Sequence, residues 1–206
     1  MAKLNAEVDT ATAARYRVLG YPTVMVLNEK GEELDRVVGY YRAPEFMSQV
    51  EDYVAGRNTL ASMVAEGPAK KNDPEFIYKL AERFADHGLF DDARKRYMVF
   101  VSLDPKNKTG FTDDAYYRLA RMARKEKDYA SHRKYAKIIL DRYPDSDMYR
   151  PAFIEWGQGH RKDGKLAKAR EIFLDYAKRF PDDEDAPWAR EQADSLAVQI
   201  ATRRGS

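Results

Sequence analysis

The chain has 206 residues, enough for one large or two small domains; 44% of them are hydrophobic and 34% are charged. The net charge of +2 provides no global attraction to nucleic acid or anionic lipid, and the lack of cysteine excludes disulfides and thiolate metal sites. No apolar run approaches the roughly 20 residues that span a bilayer. The first residues also lack the pattern of a signal peptide, so the sequence as written predicts a cytoplasmic protein.

A short helix and a β-hairpin are predicted first. Asp9 is a suitable N-cap for a helix that Gly20 would end. The runs Thr23–Asn28 and Glu33–Gly39 are rich in β-branched residues, and they flank a turn that contains Lys30-Gly31. This pattern predicts two antiparallel strands.

An amphipathic helix is predicted after the hairpin, from about Ala43 to Tyr53. Pro44 is favoured in the first turn of a helix because its missing N–H is not needed there. Phe46, Val50 and Val54 recur at helical spacing and form one apolar stripe.

The first 57 residues resemble part of a known family. Ala2-Lys3-Leu4-Asn5 and Pro22-Thr23, sixteen residues apart, resemble the run from the third strand to the proline loop of thioredoxins. Arg15-Tyr16 and Gly20-Tyr21-Pro22-Thr23 stand where that family has Lys-Tyr and Gly-Ile-Pro-Thr. The resemblance implies that residues 1–57 form the C-terminal half of a thioredoxin-like domain, whose Cys-x-x-Cys half is not in this sequence.

The same resemblance implies a candidate peptide site. In thioredoxin-like folds the proline of this loop is cis, and the backbone of the preceding residue pairs with an extended substrate. Tyr21, Pro22 and Thr23 are therefore candidate substrate-binding residues. The alternative is an ordinary trans proline that opens a strand. Without a cysteine, the chain itself has no thiolate for dithiol chemistry.

The missing half would leave the predicted sheet without its central strand. That strand would lie between one that begins near Lys3 and the strand Thr23–Asn28, so its loss would expose unpaired backbone groups. A second copy could pair with Ala2–Val8 or Thr23–Asn28 to form a homodimer. Alternatively, the segment before the hairpin is poorly held, or the hairpin docks on the following helices through Phe46 and Val50.

Residues 58–72 are predicted to be a linker, and a helical repeat is predicted over residues 73–206. When Pro105, Pro144 and Pro181 are aligned, large and small residues recur at the same offsets before each proline. The recurring residues are Leu80, Ala81, Phe84, Gly88, Phe90, Ala93, Tyr97 and Phe100; Leu119, Ala120, Ala123, Lys127, Tyr129, His132, Ala136 and Ile139; and Trp156, Gly157, His160, Gly164, Leu166, Ala169, Phe173 and Tyr176.

This pattern resembles the tetratricopeptide repeat, in which a small residue lets two helices approach closely and a proline closes the second helix. The second unit departs from the pattern at Ala123, Lys127 and His132. Pro187–Thr202 is predicted to be a capping helix. The predicted fold class is α+β: a partial thioredoxin-like β/α segment, followed by an all-α tetratricopeptide-type superhelix.

Candidate functional residues are concentrated in the repeats. His87, His132 and His160 fall in different repeats without a metal-ligand spacing, so packing is favoured and no metal site or cofactor is predicted. Lysines and arginines make the second repeat basic, which indicates a solvated surface or a site for an acidic peptide. Arg121 and Arg124 could face the groove of the repeats, and together with His160 they are the candidate partner-binding residues.

The sequence therefore predicts a non-enzymatic module that binds a protein or peptide partner in a tetratricopeptide groove, without nucleic acid or membrane. Arg121 and Arg124 would act as charge clamps on an acidic peptide or on the C-terminus of a peptide. The alternative is the C-terminal part of a thioredoxin-like thiol-disulfide oxidoreductase whose active-site half is missing from this chain. A leader upstream of Met1 would place the protein in the periplasm instead.

Overall fold

The computed structural model describes residues 3–205, and the chain divides between Leu103 and Asp104 into two compact units. Unit 1 contains α1 (Thr10–Arg15), β1 (Thr23–Leu27), β2 (Glu33–Val38), α2 (Ala43–Val54), α3 (Leu60–Glu66), α4 (Pro74–Asp86) and α5 (Phe90–Leu103). Unit 2 contains α6 (Thr112–Lys125), α7 (Tyr129–Arg142), α8 (Tyr149–Lys162), α9 (Leu166–Arg179) and α10 (Ala186–Gly205). The segment predicted as a linker, residues 58–72, contains helix α3.

The start of the described chain differs from the prediction. Asp9 caps α1 as expected, because its side chain accepts a hydrogen bond from the Thr12 N–H at 2.9 Å. The helix ends at Arg15, well before Gly20, and Arg17 follows in the left-handed region at φ 50°. The strand predicted to begin near Lys3 is wrong, because residues 3–9 form turns and irregular backbone. Ala2 lies outside the described residues.

The predicted hairpin forms, and α2 packs against one of its faces. β1 and β2 are antiparallel, with Thr23 paired to Val38, and the sheet has two strands in the described chain. The Tyr21–Pro22 peptide bond is cis. The hairpin core consists of Val26, Val37 and Tyr53, with Val24, Phe46 and Val50 packed against it.

Two expectations about α2 are corrected by this packing. Phe46 and Val50, which were expected to dock on the repeats, pack against the buried Val26, Val37 and Tyr53. Val54, predicted on the same stripe, is 66% exposed.

A buried ionic cluster, rather than an apolar contact, joins the hairpin to α4. Asp35 is fully buried on β2; its carboxylate pairs with Arg83 and lies 3.0 Å from His87 Nε2. The same carboxylate accepts hydrogen bonds from the backbone N–H groups of Arg36 and Leu60, both at 2.6 Å. The Asp35 carboxylate therefore connects β2, α3 and α4 within unit 1.

Arg36 extends this cluster to the segment before the hairpin. Its guanidinium donates to the carbonyl oxygens of Tyr16 at 2.8 Å and Arg17 at 3.1 Å. Within residues 1–22, which were expected to be poorly held, a buried arginine therefore binds the backbone of Tyr16 and Arg17.

The predicted helix pairs form in both units. In α4 and α5 the residues Leu80, Ala81, Phe84, Ala93, Tyr97 and Phe100 are buried. In unit 2 each helix packs against the next one along the chain. The capping helix is α10, whose Ala189, Ala193 and Leu196 join the core formed with α9.

The close approach of paired helices depends on small residues. A Cβ placed on Gly157 in α8 would lie 2.6 Å from the ring of Phe173 in α9, so no larger residue fits without movement. The second repeat achieves its turn without glycine. Lys127 adopts φ 62° at the position where the other pairs have Gly88 and Gly164, at 71° and 74°.

Candidate functional site

The basic face of α6 is the surface formed by Tyr117, Arg118, Arg121, Arg124 and Lys125. These residues follow one another at helical spacing, opposite the buried stripe that includes Leu119, Ala120 and Ala123. Arg121 is exposed, and its guanidinium lies 5.9 Å from the centre of the Tyr117 ring. The face is thus built on a regular helix and presents several cations together.

The cations of this face are close enough to influence one another. Burial lowers the pKa of the Lys125 ammonium, and the charges of Arg121 and Arg124 lower that pKa further. Among residues 3–205, no carboxylate forms an ion pair with Arg121. The structure therefore brings two of the predicted site residues, Arg121 and Arg124, into one positively charged surface.

A buried carboxylate on α8 reaches this face. Glu155 is 6% exposed, and its Oε1 lies 3.3 Å from the guanidinium of Arg124. Its other oxygen, Oε2, lies 2.7 Å from Nε2 of His132, which is fully buried on α7. Arg124, Glu155 and His132 therefore form a chain of charged and polar groups from the surface into the core.

His132 occupies a repeat position where a small residue is expected, and a glycine makes room for it. A Cβ on Gly159 in α8 would lie 3.2 Å from His132 Nδ1 and 2.7 Å from the Arg133 side chain. The large His132 ring therefore fits at this position because Gly159, on the next helix, has no side chain.

His160, the third predicted groove residue, lies in a different cleft of unit 2. This cleft has a volume of about 520 Å³ and is lined by His160, Lys165, Leu166, Lys168, Ile200 and Arg203, with Gly164 and Ala167. The His160 ring packs edge-on against Trp156, with ring centres 5.6 Å apart. The lining of this cleft does not include Arg121 or Arg124.

We expect the His160 imidazole to be neutral at pH 7. Burial, followed by the charges of Arg133, Lys165 and Lys168, lowers its pKa from 6.5 to about 4. Since the folded-state pKa lies below the unfolded-state value, this group favours folding fully above about pH 6.5, and that contribution is lost as the pH falls towards 4. Nuclear magnetic resonance titration of the ring, assigned with His160→Gln, measures the midpoint. A midpoint at or above 6.5 would contradict the expectation.

The predicted peptide site at Tyr21, Pro22 and Thr23 lies in unit 1. Tyr21 is 66% exposed and borders a surface cleft with residues 3–7. The Thr23 hydroxyl donates to the Gly20 carbonyl oxygen at 2.8 Å, which fixes the turn before β1. These three residues are adjacent in unit 1.

Sequence reasoning missed Glu155 as a member of the site. Glu155 directly precedes Trp156, which occupies a recurring repeat position. A carboxylate so close to the core residues was the one sign in the sequence that Glu155 could be buried. Its contacts with Arg124 and His132 span different helices and follow no local spacing.

The described residues contain neither a group of metal ligands nor a membrane-spanning helix. Within residues 3–205, no three potential metal ligands among His, Asp and Glu are grouped to hold an ion. No described helix combines the length and apolar composition required to cross a membrane.

Comparison with known proteins supports the helical repeat. The tetratricopeptide repeat family matches residues 114–146, which is the second predicted unit and the one that departs most from the pattern. No curated protein matches the chain.

Solved structures similar to this chain include three of MamA. One described as a crystal structure of MamA has a TM-score of 0.55 at 18% identity and covers 81% of this chain and 99% of its own. MamA RS-1 ArsTM double mutant has a TM-score of 0.53 at 18% identity, covering 79% of this chain and 95% of its own. MamA from residue 41 to its end, from Desulfovibrio magneticus RS-1, has a TM-score of 0.52 at 18% identity, covering 77% and 93%.

At these identities the likeness shows the fold alone. The family match and the structures agree on a tetratricopeptide-type arrangement of helices, so that part of the sequence prediction is confirmed. The thioredoxin-like origin predicted for residues 1–57 has no support among these matches.

Proposed function

We propose that this chain is a non-enzymatic interaction module whose unit 2 binds an acidic protein or peptide on the basic face of α6. Arg121 and Arg124 are the residues that contact the partner's carboxylates. The observation that carries the proposal is the clustering of cations on one helix face, where Arg121 has no ion-pair partner among the described residues.

The arginines of this face match the carboxylates of an acidic partner. Arginine presents N–H donors in a planar fork that matches a carboxylate, and the bonds are strengthened by charge. Tyr117 adds an aromatic surface beneath Arg121, which holds the guanidinium in place before binding. A helical repeat provides such a surface on a rigid element.

We expect Arg121→Glu to weaken binding of an acidic peptide by at least tenfold. A charge-assisted hydrogen bond contributes about 1.5–3 kcal/mol, and about 1.4 kcal/mol corresponds to a factor of ten in Kd. Fluorescence anisotropy with a short labelled polyglutamate peptide, at low ionic strength, measures the change. Lys178→Glu on α9 is the matched control, because it makes the same charge change at an exposed position of unit 2. Equal losses in both variants would show attraction by net charge alone and would contradict the site.

The cleft around His160 is proposed as a second contact for the same partner. The cleft is lined by three cations, Lys165, Lys168 and Arg203, and by the apolar side chains of Leu166 and Ile200. A partner segment with an acidic and an apolar side chain would match both properties of this cleft.

We further propose that residues 3–57 correspond to the C-terminal half of a thioredoxin-like domain. Support comes from the order of α1, the Tyr21–Thr23 loop, the β1–β2 hairpin and α2. If residues 3–57 have this origin, an extended peptide contacts Tyr21, Pro22 and Thr23. The open edge of β1 is then the surface through which two copies would pair.

A further inference from the structure

The two arginines of the proposed site differ in their surroundings. Arg121 has no carboxylate partner among the described residues, whereas Arg124 is already paired with Glu155 at 3.3 Å. One part of the basic face is therefore open to a ligand's carboxylate, and another part carries a carboxylate of the protein itself.

Glu155 is held in place by buried groups. His132 Nε2 binds its Oε2 at 2.7 Å, and both side chains are nearly or completely inaccessible to solvent. Gly159 keeps the space for the His132 ring, which would otherwise contact a side chain of α8. Because a buried carboxylate needs compensating partners, Glu155 cannot move into solvent without leaving His132 unpaired.

The charge of Glu155 acts on the basic face itself. Burial raises the pKa of the Tyr117 hydroxyl, and the Glu155 carboxylate raises that pKa further. Tyr117 lies beneath Arg121, so the negative charge is close to both arginines. A partner's carboxylate that approaches Arg124 would meet the like charge of Glu155 within a few ångströms.

We propose that Glu155 is an internal competitor of the acidic partner: it occupies Arg124 from the core side and limits the affinity of the basic face. This inference rests on the proposed function. A partner that binds both arginines must displace the Arg124–Glu155 pair. A singly charged ligand therefore gains less than the cation cluster would otherwise provide, so the face favours a ligand with several carboxylates.

Glu155→Gln tests the proposal in the full chain. The amide keeps an oxygen that can accept from His132 but removes the negative charge. With the labelled polyglutamate peptide, we expect binding to tighten roughly 3- to 10-fold. Glu191→Gln on α10 is the matched control, since it removes the same charge from an exposed residue of unit 2, and we expect less than a twofold change.

The outcomes separate this inference from the proposed function. Tighter binding by Glu155→Gln alone supports the competitor, including when the unsubstituted chain binds too weakly to measure. Unchanged or weaker binding by Glu155→Gln, with clear binding by the unsubstituted chain, overturns the competitor and leaves the acidic-peptide site standing. No binding by any variant overturns the proposed function.

A second measurement tests the proposal without a substitution, in case the Glu155→Gln variant does not fold. If Glu155→Gln lacks a cooperative melt, resonances of the arginine side chains and the His132 ring are followed in the unsubstituted chain during peptide addition. We expect the Arg124 and His132 signals to shift together, because Glu155 connects them. A shift confined to Arg121, with Arg124 and His132 unchanged, would overturn the proposal.

Discussion

Replacing Asp35 with alanine is expected to destabilise unit 1 by about 3–5 kcal/mol, because breaking a buried ion pair leaves its partner charged and uncompensated. Asp35 is fully buried, and Arg83 is 12% exposed at its side chain. The variant also removes the acceptor for the Arg36 and Leu60 N–H groups. A lower urea midpoint in far-ultraviolet circular dichroism is the expected result.

The location of the tryptophans makes this experiment specific for one unit. Trp156 and Trp188 are the two tryptophans of the sequence, and both lie in unit 2. Circular dichroism therefore follows all helices, whereas tryptophan emission follows unit 2. Glu51→Ala, at an exposed position of α2, is the control, with an expected change within about 0.5 kcal/mol. An Asp35→Ala transition indistinguishable from that of Glu51→Ala would contradict the role assigned to the cluster.

Replacing Phe173 with alanine is expected to destabilise unit 2 by about 3–5 kcal/mol, the usual cost of deleting a buried aromatic ring. Phe173 is fully buried in α9 and fills the space left by Gly157 in α8. Its ring centre also lies 5.4 Å from that of Trp188 in α10. The loss would leave a cavity among three helices, since the backbone of each is fixed by further contacts.

Tryptophan emission during urea unfolding measures this change directly, with circular dichroism as a second readout. Leu174→Ala is the matched control, because Leu174 is the adjacent residue of the same helix but is 37% exposed. We expect a much smaller loss for it. Similar losses in both variants would mean that Phe173 is not the packing centre of this helix pair.

The helices of both units follow from local sequence pattern. Apolar residues at helical spacing, together with a turn residue and a closing proline, identify α4 to α9 because each rule acts within a few residues. The hairpin is equally local, since β-branched runs around Lys30-Gly31 have few other structures available. The chain therefore specifies its helix pairs and its hairpin without information from distant residues.

Departures from the repeat pattern were harder to interpret from sequence. Lys127 takes a left-handed conformation where the other pairs use glycine, in the turn between the packed helices α6 and α7. His132 is accepted at a small-residue position because Gly159, on another helix, leaves room for it. The space at Gly159 is not visible when the second repeat is considered alone.

The position of each buried charge depends on the folded chain. Arg83 reaches Asp35 across 48 positions of sequence, and Glu155 lies 23 residues from His132. The same holds for Phe46 and Val50, whose stripe was evident but whose partner was not. An amphipathic pattern indicates which face of a helix is buried. The element that packs on that face depends on the packing of the whole fold. A charge is likewise buried only where folding brings its donors together, and for that reason the Arg124–Glu155–His132 chain appears only in the tertiary structure.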